Sequence, residues 1–183
     1  MSASVLSQPC IERTVNQTVV RLEQGDLTAM EVDGFVFYAR EDLQLGSGHG
    51  GAIQSRGGAS IRKELEKIGS IRMGEAVVTA AGQLNAGHIV HACGPKFLEP
   101  DTEPKLRGCM LSALQAAAAA GLKRVAFSAM GAGFYGVPLD LCTRAMLETI
   151  TEFARKDSSI EEITICVVDN REFAAFKPRI EAL

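Results

Sequence analysis

The segment Gly34-Phe35-Val36-Phe37-Tyr38-Ala39 is apolar and aromatic without interruption. A strand with one wet face alternates polar and apolar residues. A strand that never alternates must be covered on both faces, as in a largely parallel sheet with helices on either side. The rest of the chain is compatible with that architecture. Thr18 to Glu23 alternates like a half-buried strand, and Ala76–Thr79, His88–Ala92, Arg124–Ser128 and Glu162–Val168 read as further strands. Between them lie helical patterns at 51–58, 60–68, 104–120, 138–155 and 171–182. In the third, Leu106, Met110, Ala113, Leu114 and Ala117 recur three and four apart, and Gly121 supplies the stop. Strands alternating with helices predict an α/β fold, a sheet covered by helices on both faces. Residues 1–12 read as an irregular lead-in, and 13–183 as one domain.

Composition narrows the setting. A chain of 183 residues with 46% hydrophobic and 22% charged residues suits one soluble domain with its own core. No apolar stretch approaches the roughly 18 residues a membrane helix needs. The N-terminus has neither a basic start nor a long apolar run, which argues against a secretory signal. Five scattered cysteines without a C-x-x-C pattern favour reduced thiols in the cytoplasm over disulfides or zinc. A net charge of −3 without a basic run argues against nucleic acid as partner.

Two strands end in glycine. After Ala39 comes LQLGSGHGGAIQ, with Gly46, Gly48, Gly50 and Gly51 leading into a helix. After Phe127 comes SAMGAGFYGVP, with Gly131, Gly133 and Gly136 around the Phe134-Tyr135 pair. Glycines let backbone N–H groups converge, and a following helix N-terminus adds a favourable dipole for an anion. Either loop alone could be an ordinary tight turn. Together, each between a buried strand and a helix, they could hold a diphosphate from both sides. Neither is a G-x-x-x-x-G-K-[ST] loop, and no ribose-binding acid follows Gly51 at the spacing of a dinucleotide fold, since Glu64 and Glu66 lie on a helix.

Six segments in order, QGDLT (24–28), VDGFVFYAR (32–40), GSGHGGAI (46–53), GEAVVTAAGQL (74–84), IVHACGP (89–95) and AFSAMGAGFYGVP (126–138), resemble the macrodomain, a module that binds ADP-ribose and is also linked to ADP-ribose 1″-phosphate processing. The resemblance spans residues 18–183 and implies a three-layer α/β/α sandwich around a mixed, mostly parallel central sheet, with a cleft at the strand ends. It implies that Asp26 accepts from the adenine amino group with the Leu27 backbone beside it, although Asp26 also reads as a cap after Gly25. It implies a first phosphate loop over Gly46, Gly48, His49, Gly50 and Gly51, and a second over Gly131, Ala132, Gly133, Phe134 and Tyr135. Phe134 and Tyr135 read equally as packing at the loop base. Val168 falls where the family has an aromatic residue beside adenine, and Asn170 closes the same end unless it is only a turn residue.

Three departures from the family pattern separate binding from catalysis. Arg40 stands where an Asn commonly holds the distal ribose, and Arg cannot accept a hydrogen bond. It would pair with Asp42 or Glu41, supply charge to a phosphate, or fill the ribose pocket. Gly50 stands where hydrolysing members often carry an acid, and Gly131 and Ala132 replace hydroxyl residues. Only His49 remains as a titratable candidate for catalysis, and it reads also as a solvent-facing loop residue. The expectation is therefore a module binding ADP-ribose or a related nucleotide diphosphate, with ADP-ribosylated proteins as a further class of partner. Alternatives are a hydrolase acting on ADP-ribosylated protein or on ADP-ribose 1″-phosphate, and a scaffold that no longer binds ADP-ribose. No cofactor or metal is expected.

Overall fold

A computed structural model describes residues 9–156 and 159–183. Seven strands form one sheet: β1 (Cys10–Val15), β2 (Thr18–Gln24), β3 (Gly34–Ala39), β4 (Ala76–Ala80), β5 (His88–Cys93), β6 (Arg124–Phe127) and β7 (Glu162–Val167). Their order across the sheet is β1-β2-β7-β6-β3-β5-β4. The five inner strands run parallel, and β1 and β4 close the two edges antiparallel to β2 and β5. The helices are α1 (His49–Gly57), α2 (Ala59–Ile68), α3 (Thr102–Ala119), α4 (Leu139–Arg155) and α5 (Asn170–Glu181), with a single 3-10 turn at Leu27–Ala29.

β3 is buried at all six positions, and its side chains divide between two cores. Val36 and Tyr38 pack with Leu106, Met110, Cys142, Met146 and Phe176 from α3, α4 and α5. Phe35, Phe37 and Ala39 pack with Ile53, Ile61 and Leu65 from α1 and α2. Two apolar layers on one strand explain the unbroken apolar run, and the expected α/β/α sandwich is what forms.

Where the sequence pattern suggested a lead-in ending at residue 12, Cys10 to Glu12 already belong to β1; residues 1–8 of that segment lie outside the described residues. β1 is an edge strand with most of its side chains exposed, so it has no hydrophobic periodicity to read. A two-residue turn joins it to β2, with Val15 opposite Thr18 and Asn16 at φ 55°. α1 begins two residues before its expected start, which brings His49 and Gly50 into its first turn.

His91 on β5 faces the α1/α2 core beside Phe37, 1% exposed. The Thr79 hydroxyl lies 2.9 Å from its Nε2 and donates to the Ala80 carbonyl at 3.0 Å, so Thr79 can accept from the imidazole N–H. Burial lowers the His91 pKa from 6.5 to about 4. The folded chain thus refuses a proton that the unfolded chain accepts, and stability falls as pH drops from 6.5 towards 4. The loss attributable to His91 should reach about 3 kcal/mol. Denaturant melts across that window should lose this component of the slope in the His91→Leu/Thr79→Val double variant.

Candidate functional site

Because β2, β7, β6, β3 and β5 are parallel, their carboxyl ends share one edge of the sheet, and the connections leaving them meet there. Ligands of open α/β sheets bind at this edge. It carries a cleft of ≈ 420 Å³ lined by Val168 and Glu172 after β7, Ser128, Ala129, Gly131 and Gly133 to Tyr135 after β6, and Arg40 and Gln44 to His49 after β3. Phe37 and Tyr38 contribute from β3 itself.

The first glycine loop is shaped by its backbone. Gly46 and Gly48 hold φ of 66° and 59°, and a Cβ on either would stand in open space. The space beside Gly50 is filled instead: a Cβ there would run into the carbonyl of Leu45 and lie 3.1 Å from the Phe37 ring. The position where an acid was sought is therefore closed by main chain. Gly48 caps α1 without a side-chain hydrogen bond, and among the described residues no protein acceptor takes the N–H groups of His49, Gly50 or Gly51. The start of a helix with free N–H groups receives anions well.

The second loop is anchored by the Val137 N–H donating to the Gly131 carbonyl at 2.9 Å and the Gly136 N–H to the Gly133 carbonyl at 3.1 Å. The N–H groups of Gly133, Phe134 and Tyr135 are left without a protein acceptor among the described residues. Phe134 is 91% exposed, so its ring is no core residue. Tyr135 is half-buried against Tyr38, with ring centroids 4.5 Å apart. Tyr38 in turn donates its hydroxyl to the Pro95 carbonyl at 2.5 Å, and burial raises its pKa. One side chain of β3 thus fastens the connections after β5 and β6.

His49 lines the cleft as the first residue of α1. Burial lowers its pKa, opposed by the negative charges of Asp26 and Glu172, so it is neutral at pH 7. Asp26 lies outside the cleft lining. It caps the 3-10 turn, accepting from the Thr28 N–H at 2.9 Å and the Thr28 hydroxyl at 2.7 Å, and pairs with Arg56 at 2.9 Å. Burial works to raise its pKa, but the bonds from Thr28 and Arg56 outweigh it and lower it. Leu27 is buried beneath, and Ala132 packs on the core below its loop. Gly51 lines a separate groove with Gln54, Ser55 and Arg62 and not the cleft itself. Asn170 opens α5, exposed and away from the cleft lining. Arg40 does line the cleft and forms a two-pronged pair with Asp42, Nε to Oδ1 at 3.1 Å and Nη2 to Oδ2 at 2.7 Å.

Sequence reasoning did not single out Glu172, Gln44, Leu45, Ser47 or Ser128 as lining residues. Glu172 is buried, and its Oε2 accepts from the Val168 N–H at 3.0 Å while Asp169 caps α5 through the Glu172 N–H at 2.9 Å. The Asp169-x-x-Glu172 spacing of a capping box was its available signal. Among the described residues no cluster of His, Cys, Asp or Glu could hold a metal ion, and no helix is long and apolar enough to cross a membrane.

This is a three-layer α/β domain with an open cleft at its parallel strand ends. The chain belongs to the macro domain family, whose sequence model, described as the Macro domain, matches residues 38–146. A macro domain-containing protein of Listeria monocytogenes is 34% identical over 171 residues, covering 89% of this chain and 97% of that protein. A macrodomain of Trypanosoma brucei solved in complex with ADP-ribose superposes with a TM-score of 0.83 at 25% identity, covering 88% of this chain and 68% of that one. A macrodomain of Oceanobacillus iheyensis solved with ADP shares the fold, with a TM-score of 0.90 at 21% identity and 96% of each chain covered.

The closed space at Gly50 yields a test by contrast. Ala at an exposed helical glycine such as Gly108, where a Cβ meets nothing, should stabilise by about 1 kcal/mol. Gly50→Ala should destabilise by about 2 kcal/mol instead, because the Leu45 carbonyl must move. Chemical denaturation of the two variants decides the sign.

Proposed function

We propose that this chain binds ADP-ribose, with the diphosphate between the two glycine loops. The observation that carries the reading is the set of backbone N–H groups without a protein acceptor among the described residues on two loops that line one cleft, His49 at the start of α1 and Gly133 to Tyr135 on the second loop, with Gly50 and Gly51 following His49 in the same helical turn. Such donors suit a diphosphate, which offers only acceptors, and cost no reorganisation when fixed by the fold. The adenosine would lie towards β2 and β7, near Asp26 and Val168, and the terminal ribose towards Arg40. Val168 is 53% exposed and offers a base an apolar surface in place of an aromatic ring. The complex of the Trypanosoma brucei relative with ADP-ribose supports the choice of ligand.

A binding role fits this site better than hydrolysis. A general acid or base must reach the reacting atom. The Leu45 carbonyl bars a side chain at position 50, and Glu172 is engaged at the opposite end. Proteins carrying ADP-ribose are then the wider class of partner. Four of the five cysteines are buried, and desolvation raises their thiol pKa values, as befits structural thiols of a cytoplasmic protein.

Calorimetric titration should give micromolar binding of ADP-ribose and weaker binding of AMP. Gly133 has open space where a Cβ would stand and no positive φ, so Gly133→Val should fold normally. It should nevertheless weaken ADP-ribose by tenfold or more, about 1.4 kcal/mol. Absence of heat with the folded natural chain would overturn the reading.

A further inference from the structure

Phe97, Leu98 and Phe134 are three of the seven large hydrophobic side chains left exposed among the described residues, and they stand on two connections that touch. The connection after β5 carries Phe97 and Leu98, 63% and 84% exposed. A Cβ on Gly136 would fall 2.6 Å from the Phe97 ring, so that ring rests on the second glycine loop. Phe134 lies on the same loop, edge-on to Tyr135 with centroids 5.4 Å apart. The strand order β7-β6-β3-β5 puts the end of β5 on the far side of β3 from β7. This apolar rim therefore adjoins the end of the cleft where Arg40 stands and where a terminal ribose would emerge.

The rim is held in a fixed shape. Tyr38 fastens both connections, by its hydroxyl on the Pro95 carbonyl and its ring on Tyr135. The Glu99 N–H donates to the Lys96 carbonyl at 3.1 Å, and the Thr102 hydroxyl donates to the Glu99 carbonyl at 2.7 Å. Pro95 and Pro100 restrict the segment further. Within it Leu98 holds φ at 58°, a left-handed conformation that leucine rarely adopts. A strained backbone that leaves an apolar side chain in water gives the isolated fold nothing, but gives a partner a preformed contact. The charges around the rim cancel in pairs: Lys96 with Glu41 at 2.6 Å, Lys105 with Glu99 at 2.8 Å and Arg40 with Asp42 at 2.7 Å. A rigid, apolar rim without net charge suits an apolar stretch of polypeptide, and it does not suit a nucleic acid, whose phosphates need unpaired cations.

We propose that Phe97 and Leu98, with Phe134 beside them, form a docking surface for the polypeptide that carries the ADP-ribose, and that this surface selects apolar side chains next to the modified residue. This rests on the reading of the cleft as an ADP-ribose site. The cleft takes the nucleotide, and the rim meets the first residues of the chain joined to its terminal ribose. Once the nucleotide is bound, the second contact is intramolecular, so a patch of a few side chains is enough.

Two peptides of equal length test it by calorimetry, each carrying ADP-ribose on a central serine, one flanked on both sides by leucines and the other by glutamines. The natural chain should bind the leucine peptide about tenfold more tightly than the glutamine peptide. Neither Phe97 nor Leu98 lines the cleft, so the Phe97→Ser/Leu98→Asn variant should bind free ADP-ribose as the natural chain does while losing the preference. Asn tolerates the left-handed conformation, so Leu98→Asn alone should melt no lower than the natural chain. Should the double variant fail to fold, a clear drop of the preference in Leu98→Asn decides. Equal affinity for the two peptides, failure of both while free ADP-ribose binds, or a preference that survives the substitutions overturns the docking surface and leaves the ADP-ribose reading standing. Dimers in sedimentation that the substitutions abolish assign the rim to a second copy of the chain and overturn it as well. Failure of free ADP-ribose to bind the natural chain overturns both readings.

Discussion

Burial of β3 on both faces governs the rest of the molecule. With Phe35 and Phe37 committed to one helical layer and Val36 and Tyr38 to the other, the strand can lie only in the interior of the sheet, between β6 and β5. Both neighbours run parallel to it, so each must return through a helix, and all their carboxyl ends fall on one edge. The connections after β3 and β6 consequently stand side by side. The cleft is the gap between them.

Tyr38 and Gly50 turn that gap into a defined shape. The Tyr38 ring lies under Tyr135 while its hydroxyl holds the Pro95 carbonyl; a Cβ on Gly94 would strike the ring, and one on Gly131 would strike Val137 and crowd the ring at 3.2 Å. Gly94 after β5 is thus small because an aromatic side chain from β3 occupies its Cβ space, and Gly131 after β6 because Val137 does, at a φ of 76° that itself favours glycine. At Gly50 the neighbour is backbone: Leu45 folds its carbonyl against the first turn of α1. Such packing has few alternatives, since an interior at crystal-like density cannot absorb an extra methyl without a shift. The loops that line the cleft are therefore held by the core and not only by their own turns.

Electrostatics then gives the cleft a direction. Glu172 stands at the β7 end, a neutral imidazole and N–H groups without a protein acceptor among the described residues occupy the middle, and the Arg40–Asp42 ion pair stands at the β3 end. The acids are not idle charges: Asp26 and Glu172 each satisfy backbone donors at a helix start. Their negative potential nevertheless reaches His49.

The layered α/β architecture, the glycine loops after β3 and β6, and the relation to macrodomains could be read from the chain alone, because strand burial and loop glycines leave local signatures that do not depend on what they touch. β1 left none, being an edge strand stabilised by its pairing with β2 and carrying mostly exposed side chains. The roles of individual residues were decided in three dimensions. Whether Arg40 paired with Asp42 or Glu41 depended on which carboxylate came within reach, and Lys96 takes Glu41 at 2.6 Å. Phe134 and Tyr135, adjacent in sequence, part company because only Tyr135 meets a ring from β3. Gly50 looked like a missing acid in the sequence; only the fold put the Leu45 carbonyl where that acid would stand, since a contact between backbone segments is recorded in no side chain.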